Sequence, residues 1–176
     1  MTLEKCNSLL SEEIIIRKAT MDDLDDIQSV YEKAREFMRA NGNRTQWSDK
    51  DPKIELVIND INHGDFYVIT KDGVIGGVFS YLLGDDPFYY VIEDGDWHFH
   101  EPYDVIHRVA SNGTIRGITK LCFDFCTEKS PHVRMDTHRD NIPMQNALTR
   151  YGFRPCGIVH VANGTERIAY DFKRGE

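Results

Sequence analysis

Nothing in the sequence comes near the ~20 consecutive apolar residues that a bilayer-spanning helix needs. The opening stretch Met1-Thr2-Leu3-Glu4-Lys5-Cys6 lacks a basic segment followed by an apolar one. The expectation is therefore a cytoplasmic protein with no membrane partner. Cysteine is scarce, at four residues (Cys6, Cys122, Cys126 and Cys156). Only Cys122 and Cys126 are near neighbours, on one helix face at i, i+4, and they read as small core residues rather than a zinc clamp, because no second Cys or His pair stands at a ligand-like spacing. No metal is expected. Basic residues are also short: 21 Lys plus Arg face 29 Asp plus Glu, for a net charge of −8. That surface repels phosphate backbones, which argues against a nucleic-acid partner and favours a cationic substrate.

Internal repeats and low-complexity tracts are missing too. At 176 residues and 40% hydrophobic composition, the chain has the length and apolar content for one core without staples. The expected organisation is a single domain over 1–176 with a polar leader at 1–13.

The periodicities give an order of elements. Ile14 to Arg17 is a short β-branched run, and Thr20 is an N-cap for an amphipathic helix whose stripe (Leu24, Ile27, Val30, Tyr31, Ala34, Met38) stops at Asn41-Gly42-Asn43. A polar loop over 44–52 leads to a second apolar stripe at Ile54, Val57, Ile58 and Ile61. Residues 66–70 and 74–81 form a hairpin around Asp72-Gly73. Residues 83–102 show no period and read as a long excursion or an irregular strand. Strand character returns at 103–110, and a turn at 111–114 leads to a helix marked by Ile115, Ile118, Leu121, Cys122 and Phe125. A strand at 132–137, a helix from Met144 to Tyr151 entered through Asp140-Asn141 and Pro143 with Gly152 at its C′ position, and a hairpin around Asn163-Gly164 complete the order β-α-α-β-β-β-α-β-α-β-β. Order alone admits several α+β folds.

Two segments narrow the choice. One is Asp136-Thr137-His138-Arg139-Asp140-Asn141-Ile142-Pro143-Met144, with Leu148 and Tyr151-Gly152-Phe153 behind it. The other is Ile106-His107-Arg108-Val109-Ala110, then Gly113, Arg116-Gly117 and a helix. Together with the element order, these resemble the GNAT superfamily of N-acetyltransferases over roughly residues 14–172. The resemblance implies a mixed α+β fold: a central, mostly antiparallel sheet of six to seven strands, flanked by about four helices and splayed at the coenzyme site. It also implies acetyl-CoA as co-substrate, a small-molecule amine as acceptor and direct transfer in a ternary complex, and it leaves room for a homodimer.

Carried onto this chain, the resemblance places Val109 and Ala110 beside the pantetheine arm and thioester. It assigns the turn Asn112, Gly113, Thr114, Ile115, Arg116 and Gly117 to the pyrophosphate, and Asn141 to the coenzyme. A turn opening a helix offers free backbone N–H groups and the positive end of the helix dipole, which suits a pyrophosphate whatever the family. The bland alternative is an ordinary Asn-Gly turn followed by a packing glycine. The turn also departs from the family pattern, since Asn112 and Ile115 fill its first two key positions and it is shorter than usual.

The family often carries a general-acid tyrosine one helical turn before its Gly-Phe pair, and here that position is Leu148. Tyr151 lies three residues on, about 300° round the helix, so packing is its bland reading. His107 and His138 are the remaining catalytic candidates, because imidazole titrates near neutrality; each could equally be a structural histidine, and Asp104 and Asp136 are more distant candidates. Positioning and backbone polarisation are expected to carry most of the rate. Trp47, Tyr89 and Tyr90 are expected on the acceptor side, with core packing as their alternative. His98 and His100 would share one side of a strand, a surface or core pair rather than a metal site. Two rival functions stay open: a non-catalytic acyl-CoA-binding regulatory domain, and a thiol hydrolase using Cys122 or Cys156 with a histidine.

Overall fold

The computed structural model describes residues 12–176; Cys6 and most of the leader lie outside them. The first strand, β1 (Ile14–Lys18), runs into a 3₁₀ turn and helix α1 (Leu24–Ala40). At that junction Asp23 accepts from the Thr20 backbone N–H at 2.8 Å and from both terminal nitrogens of Arg17 at 2.8 Å. Helix α2 (Ile54–His63) ends on Gly64 in the left-handed region, where glycine avoids the Cβ penalty. The strands β2 (Phe66–Lys71), β3 (Val74–Leu82) and β4 (Asp104–Ser111) follow, then α3 (Ile118–Lys129), β5 (His132–Thr137), α4 (Ile142–Tyr151), β6 (Arg154–His160) and β7 (Glu166–Lys173).

Seven strands form one sheet in the order β1-β2-β3-β4-β5-β7-β6, and every neighbouring pair is antiparallel except β4 with β5. The expected element order and sheet type are therefore present, with four helices of the α class. One apolar cluster gathers Phe79, Ile106, Cys122, Phe123, Leu148 and Phe153 beneath α3 and α4. A second gathers Ile27, Val30, Val57, Phe66 and Val78 beneath α1 and α2. Each fully buried aliphatic or aromatic side chain contributes roughly 1.5–3 kcal/mol to this packing. A third cluster, with Tyr89, Trp97, Tyr103, Val105 and Val159, seats the excursion between β3 and β4. No helix among the described residues is long and apolar enough to cross a membrane.

Two expectations need correction. The third helix starts at Ile118 rather than at Ile115, because Gly117 takes a φ of +77° and breaks the helical path. Ile115 instead turns onto the sheet: a Cβ at Gly76 would stand 2.5 Å from its side chain, and one at Gly77 would stand 2.5 Å from Ile118. The adjacent glycines of β3 thus make the seat on which the turn rests. The excursion does not form a strand across 97–100; it holds a 3₁₀ turn at Pro87–Tyr89 and a single bridge between Glu93 and Ile158. His98 and His100 are consequently not a strand pair. His100 sits near Asp96 at 3.6 Å, while His98 Nδ1 lies 2.8 Å from Asp171 and 3.2 Å from the Cys156 sulfur.

Candidate active site

β4 and β5 are in register only at Asp104 with Val133 and Val105 with Arg134. Beyond Val105 the two strands part, and a cleft of about 1270 Å³ opens along the freed half of β4. The same stretch carries a bulge. Ser80 pairs with His107 and Val78 with Ala110, so Arg108 and Val109 together face Phe79. Arg108 has a φ of +56°, uncommon for a side chain of that bulk. Three contacts hold it there: its guanidinium donates to Asp60 at 2.6 Å and to Ser80 Oγ at 3.3 Å, and the Tyr31 hydroxyl donates to its carbonyl at 2.8 Å. A bulge disrupts the ladder and re-aims backbone groups, here at the wall of the cleft.

On one side of β4 the cleft is bordered by the 111–117 turn, the start of α3 and one face of α4. Val109, Ala110, Asn112, Gly113, Ile115 and Gly117 line it, whereas Thr114 and Arg116 are exposed and off its wall. Asn112 fixes the turn by donating from its backbone to Gly76 (3.0 Å) and from Nδ2 to Ile75 (3.2 Å), while its Oδ1 accepts from the Thr114 backbone N–H at 3.0 Å. Helix α3 opens on Gly117 with no side-chain cap, and Ile118, Thr119 and Lys120 of its first turn line the cleft. Uncapped N–H groups at a helix start are ready donors to an anion. Arg116 makes no ion pair among the described residues. These groups fit the phosphates of a coenzyme, and the neighbouring wall of Met144, Ala147 and Tyr151 suits its arm.

Asn141 also lines the cleft. Its Oδ1 accepts from the Met144 N–H at 3.3 Å, which makes it the cap of α4, and its Nδ2 donates to Gln46 at 3.0 Å, which ties the cap to the loop carrying Trp47. On the same helix Leu148 is fully buried, and Tyr151 reaches the wall with its hydroxyl 2.9 Å from both Asp124 and Thr127. Burial, with Asp124 adding to it, holds that phenol above its ordinary range.

The opposite arm runs between α1, the loop after it and the 3₁₀ turn. Trp47 and Tyr89 line it; Tyr90 does not, and stands 66% exposed on the outer surface. Where the arms meet, His107 Nε2 lies 2.7 Å from Asp86 and Nδ1 lies 3.9 Å from Asp136. The Tyr89 hydroxyl donates to Asp136 at 2.6 Å, and Arg167 Nε is 3.9 Å from the other oxygen of that carboxylate. Burial pushes Asp86 upward, but the His107 contact outweighs it, and the carboxyl lies below its usual range. The Asp86 and Arg167 contributions went unread in the sequence. The signal for Asp86 was the run Gly84-Asp85-Asp86-Pro87, an Asx-capped turn; Arg167 gave none, since its strand also carries Glu166, Asp171 and Lys173.

His138 is not on the cleft wall. Its Nδ1 accepts from the Asp140 N–H at 3.1 Å and its Nε2 is 3.3 Å from Thr45, so the ring braces the turn before α4. Burial and then the Arg167 charge lower its pKa, which favours that neutral, accepting form. Asp104 lies outside the cleft as well, taking the Tyr81 hydroxyl and the Gly84 N–H. Away from the cleft, burial and then Asp171 push the Cys156 thiol up to about 12, and burial raises Cys122 well above its ordinary value. Neither thiol is a ready nucleophile at neutral pH.

No family model matches the chain, and no curated protein matches it. Solved structures do. A GNAT-family acetyltransferase of Streptococcus agalactiae 2603 is 29% identical, covering 93% of this chain and 96% of its own, with a TM-score of 0.82. GNAT-family acetyltransferases of Listeria monocytogenes 4b F2365 (19% identity, 92% of this chain and 95% of that one, TM-score 0.65) and Bacillus cereus ATCC 10987 (20%, 93% and 99%, 0.59) share the fold. Its structural neighbours are thus GNAT-family acetyltransferases along more than 90% of its length, and the chain has the fold of that family.

Proposed function

We propose that the protein is an N-acetyltransferase that takes acetyl-CoA as donor and a primary amine of a small molecule as acceptor. The observation that carries this reading is the meeting of two cleft arms at the bulged half of β4, beside His107. Acetyl-CoA, when bound, supplies the activated acetyl thioester. The chain's own part is to hold the phosphates on the first turn of α3, to align the arm along α4 and to present β4 backbone donors toward the thioester oxygen. A carboxylate accepts only, so the 2.7 Å contact to Asp86 keeps the proton on His107 Nε2 and leaves Nδ1 with a lone pair. Nδ1 takes the proton that an ammonium must lose before its nitrogen can attack a carbonyl carbon. Leu148 offers no acid at the family's usual place and the Tyr151 hydroxyl is already engaged, so the departing thiolate draws its proton from water or from the imidazolium.

The buried Leu148 also favours a second reading, a regulatory domain of the same fold that binds acyl-CoA without turnover. The two are separated by adding acetyl-CoA and following first the melting temperature, then thiol release with a panel of amines. A rise in melting temperature with no amine-dependent thiol release selects the regulatory reading.

A further inference from the structure

The acceptor arm has a polar floor and an apolar mouth. At the floor His107 Nδ1 and Asp136 Oδ2 stand 3.9 Å apart, a separation at which two acceptors can share one ammonium at ordinary hydrogen-bond distances. At the mouth Phe37 and Phe88 both line the cleft and stay 57% and 47% exposed. Large aromatics facing water along a cleft wall form a landing surface for an apolar group. The cations of this arm are already matched: Lys33 pairs with Glu36 at 3.1 Å, Arg108 with Asp60 at 2.6 Å, and Arg167 is buried beside Asp136. A carboxylate on the acceptor would thus meet Asp85, Asp86 and Asp136 with no unmatched cation to receive it.

We infer that the acceptor is a small monoamine with an aromatic or branched apolar stem, its ammonium seated between His107 and Asp136 and its stem lying on Phe37 and Phe88. This deepens the acetyltransferase reading and rests on it. The floor supplies charge and a proton acceptor for the reacting nitrogen, while the mouth supplies area for the stem and discriminates by size.

The test compares 2-phenylethylamine, isopentylamine, ethylamine, spermidine, an amino acid and a peptide N-terminus by kcat/KM on the full chain, with acetyl-CoA affinity measured in parallel. Expected is a preference of about tenfold or more for the first two over ethylamine, in line with what apolar contacts contribute to discrimination. Phe37→Ser and Phe88→Ser should each shrink that preference while acetyl-CoA affinity holds. Higher kcat/KM for spermidine, the amino acid or the peptide overturns the inference and leaves acetyl transfer standing; spermidine is the sharpest competitor, because Asp85 also lines the arm. A preference unmoved by both serine variants overturns it too, as does light scattering that finds a dimer sealing both phenylalanines. If acetyl-CoA binds yet no amine releases thiol, the acetyltransferase reading falls. Calorimetry of 2-phenylethylamine with the CoA-loaded protein then decides the inference alone, and absence of binding overturns it.

Discussion

Asp86 Oδ2 lies 2.7 Å from His107 Nε2, joining the cap of the excursion's 3₁₀ turn to the bulged strand where the two arms of the cleft meet. The sequence alone leads one to expect small losses from any single substitution. This pair changes that for one residue. His107→Gln should lower kcat at pH 7 by roughly 10²-fold, at the lower end of what a general base contributes. Asp86→Asn should lose less, since the ring stays but its tautomer is no longer enforced. Because a free amine needs no base, the His107→Gln deficit should narrow as the assay pH is raised toward the amine pKa. A deficit flat from pH 7 to 10 would mean that His107 does not move the proton.

Gly76 and Gly77 leave 2.5 Å between a built Cβ and the side chains of Ile115 and Ile118. Gly76→Ala should therefore push the 111–117 turn off the sheet, costing about 1–3 kcal/mol of stability as overpacking does. Acetyl-CoA affinity, read by calorimetry, should weaken as the turn moves. Ile115→Val in the same chain removes one methyl group at the clash and should restore part of both losses. Full affinity in Gly76→Ala alone would show that the turn's seating has no bearing on the coenzyme.

Asn141→Asp keeps an N-cap acceptor but loses the donor to Gln46. Stability should move by under about 1 kcal/mol, while the loop at 43–47 loses its tie to α4. The expected signature is faster backbone hydrogen exchange at Gln46 and Trp47 and a several-fold higher KM for the amine. If only stability changes, the residue is a cap and nothing more.

Arg17 donates to Asp23 through both terminal nitrogens, and together with the Thr20 N–H it holds the carboxyl at about 2. A depressed folded-state pKa gives stability that is present above the unfolded value of about 3.9 and lost as pH falls through the folded one. With Arg17 partly open to solvent, the contribution is discounted to roughly 1–2 kcal/mol. Asp23→Asn should thus melt below the wild type at pH 7, and the gap should close between about pH 4 and pH 2. A gap that persists unchanged at pH 2 would assign the loss to packing.

The element order was legible because it is written in local periodicity: the α1 stripe from Leu24 to Met38, the Asp72-Gly73 turn and the Gly152 stop each act within a few residues. By spacing Ile115 belongs to α3, which begins only at Ile118, and what draws Ile115 away is the bare patch of Gly76 and Gly77 some forty positions earlier. The bulge at Arg108 and its ties to Asp60, Ser80 and Tyr31 were equally out of reach, since each partner lies on a different element.

Sequence by itself therefore determined which segments become helix or strand, their order, and the turn and cap residues between them, because those depend on side-chain period and backbone preference within one or two turns of chain. Tertiary structure alone decided that β4 and β5 part after Val105, that His107 meets Asp86 and Asp136, and that Tyr90 and His138 stay off the cleft wall. Those are contacts between residues far apart in the chain, fixed by how strands pair and where helices settle on the sheet, and no local pattern encodes them.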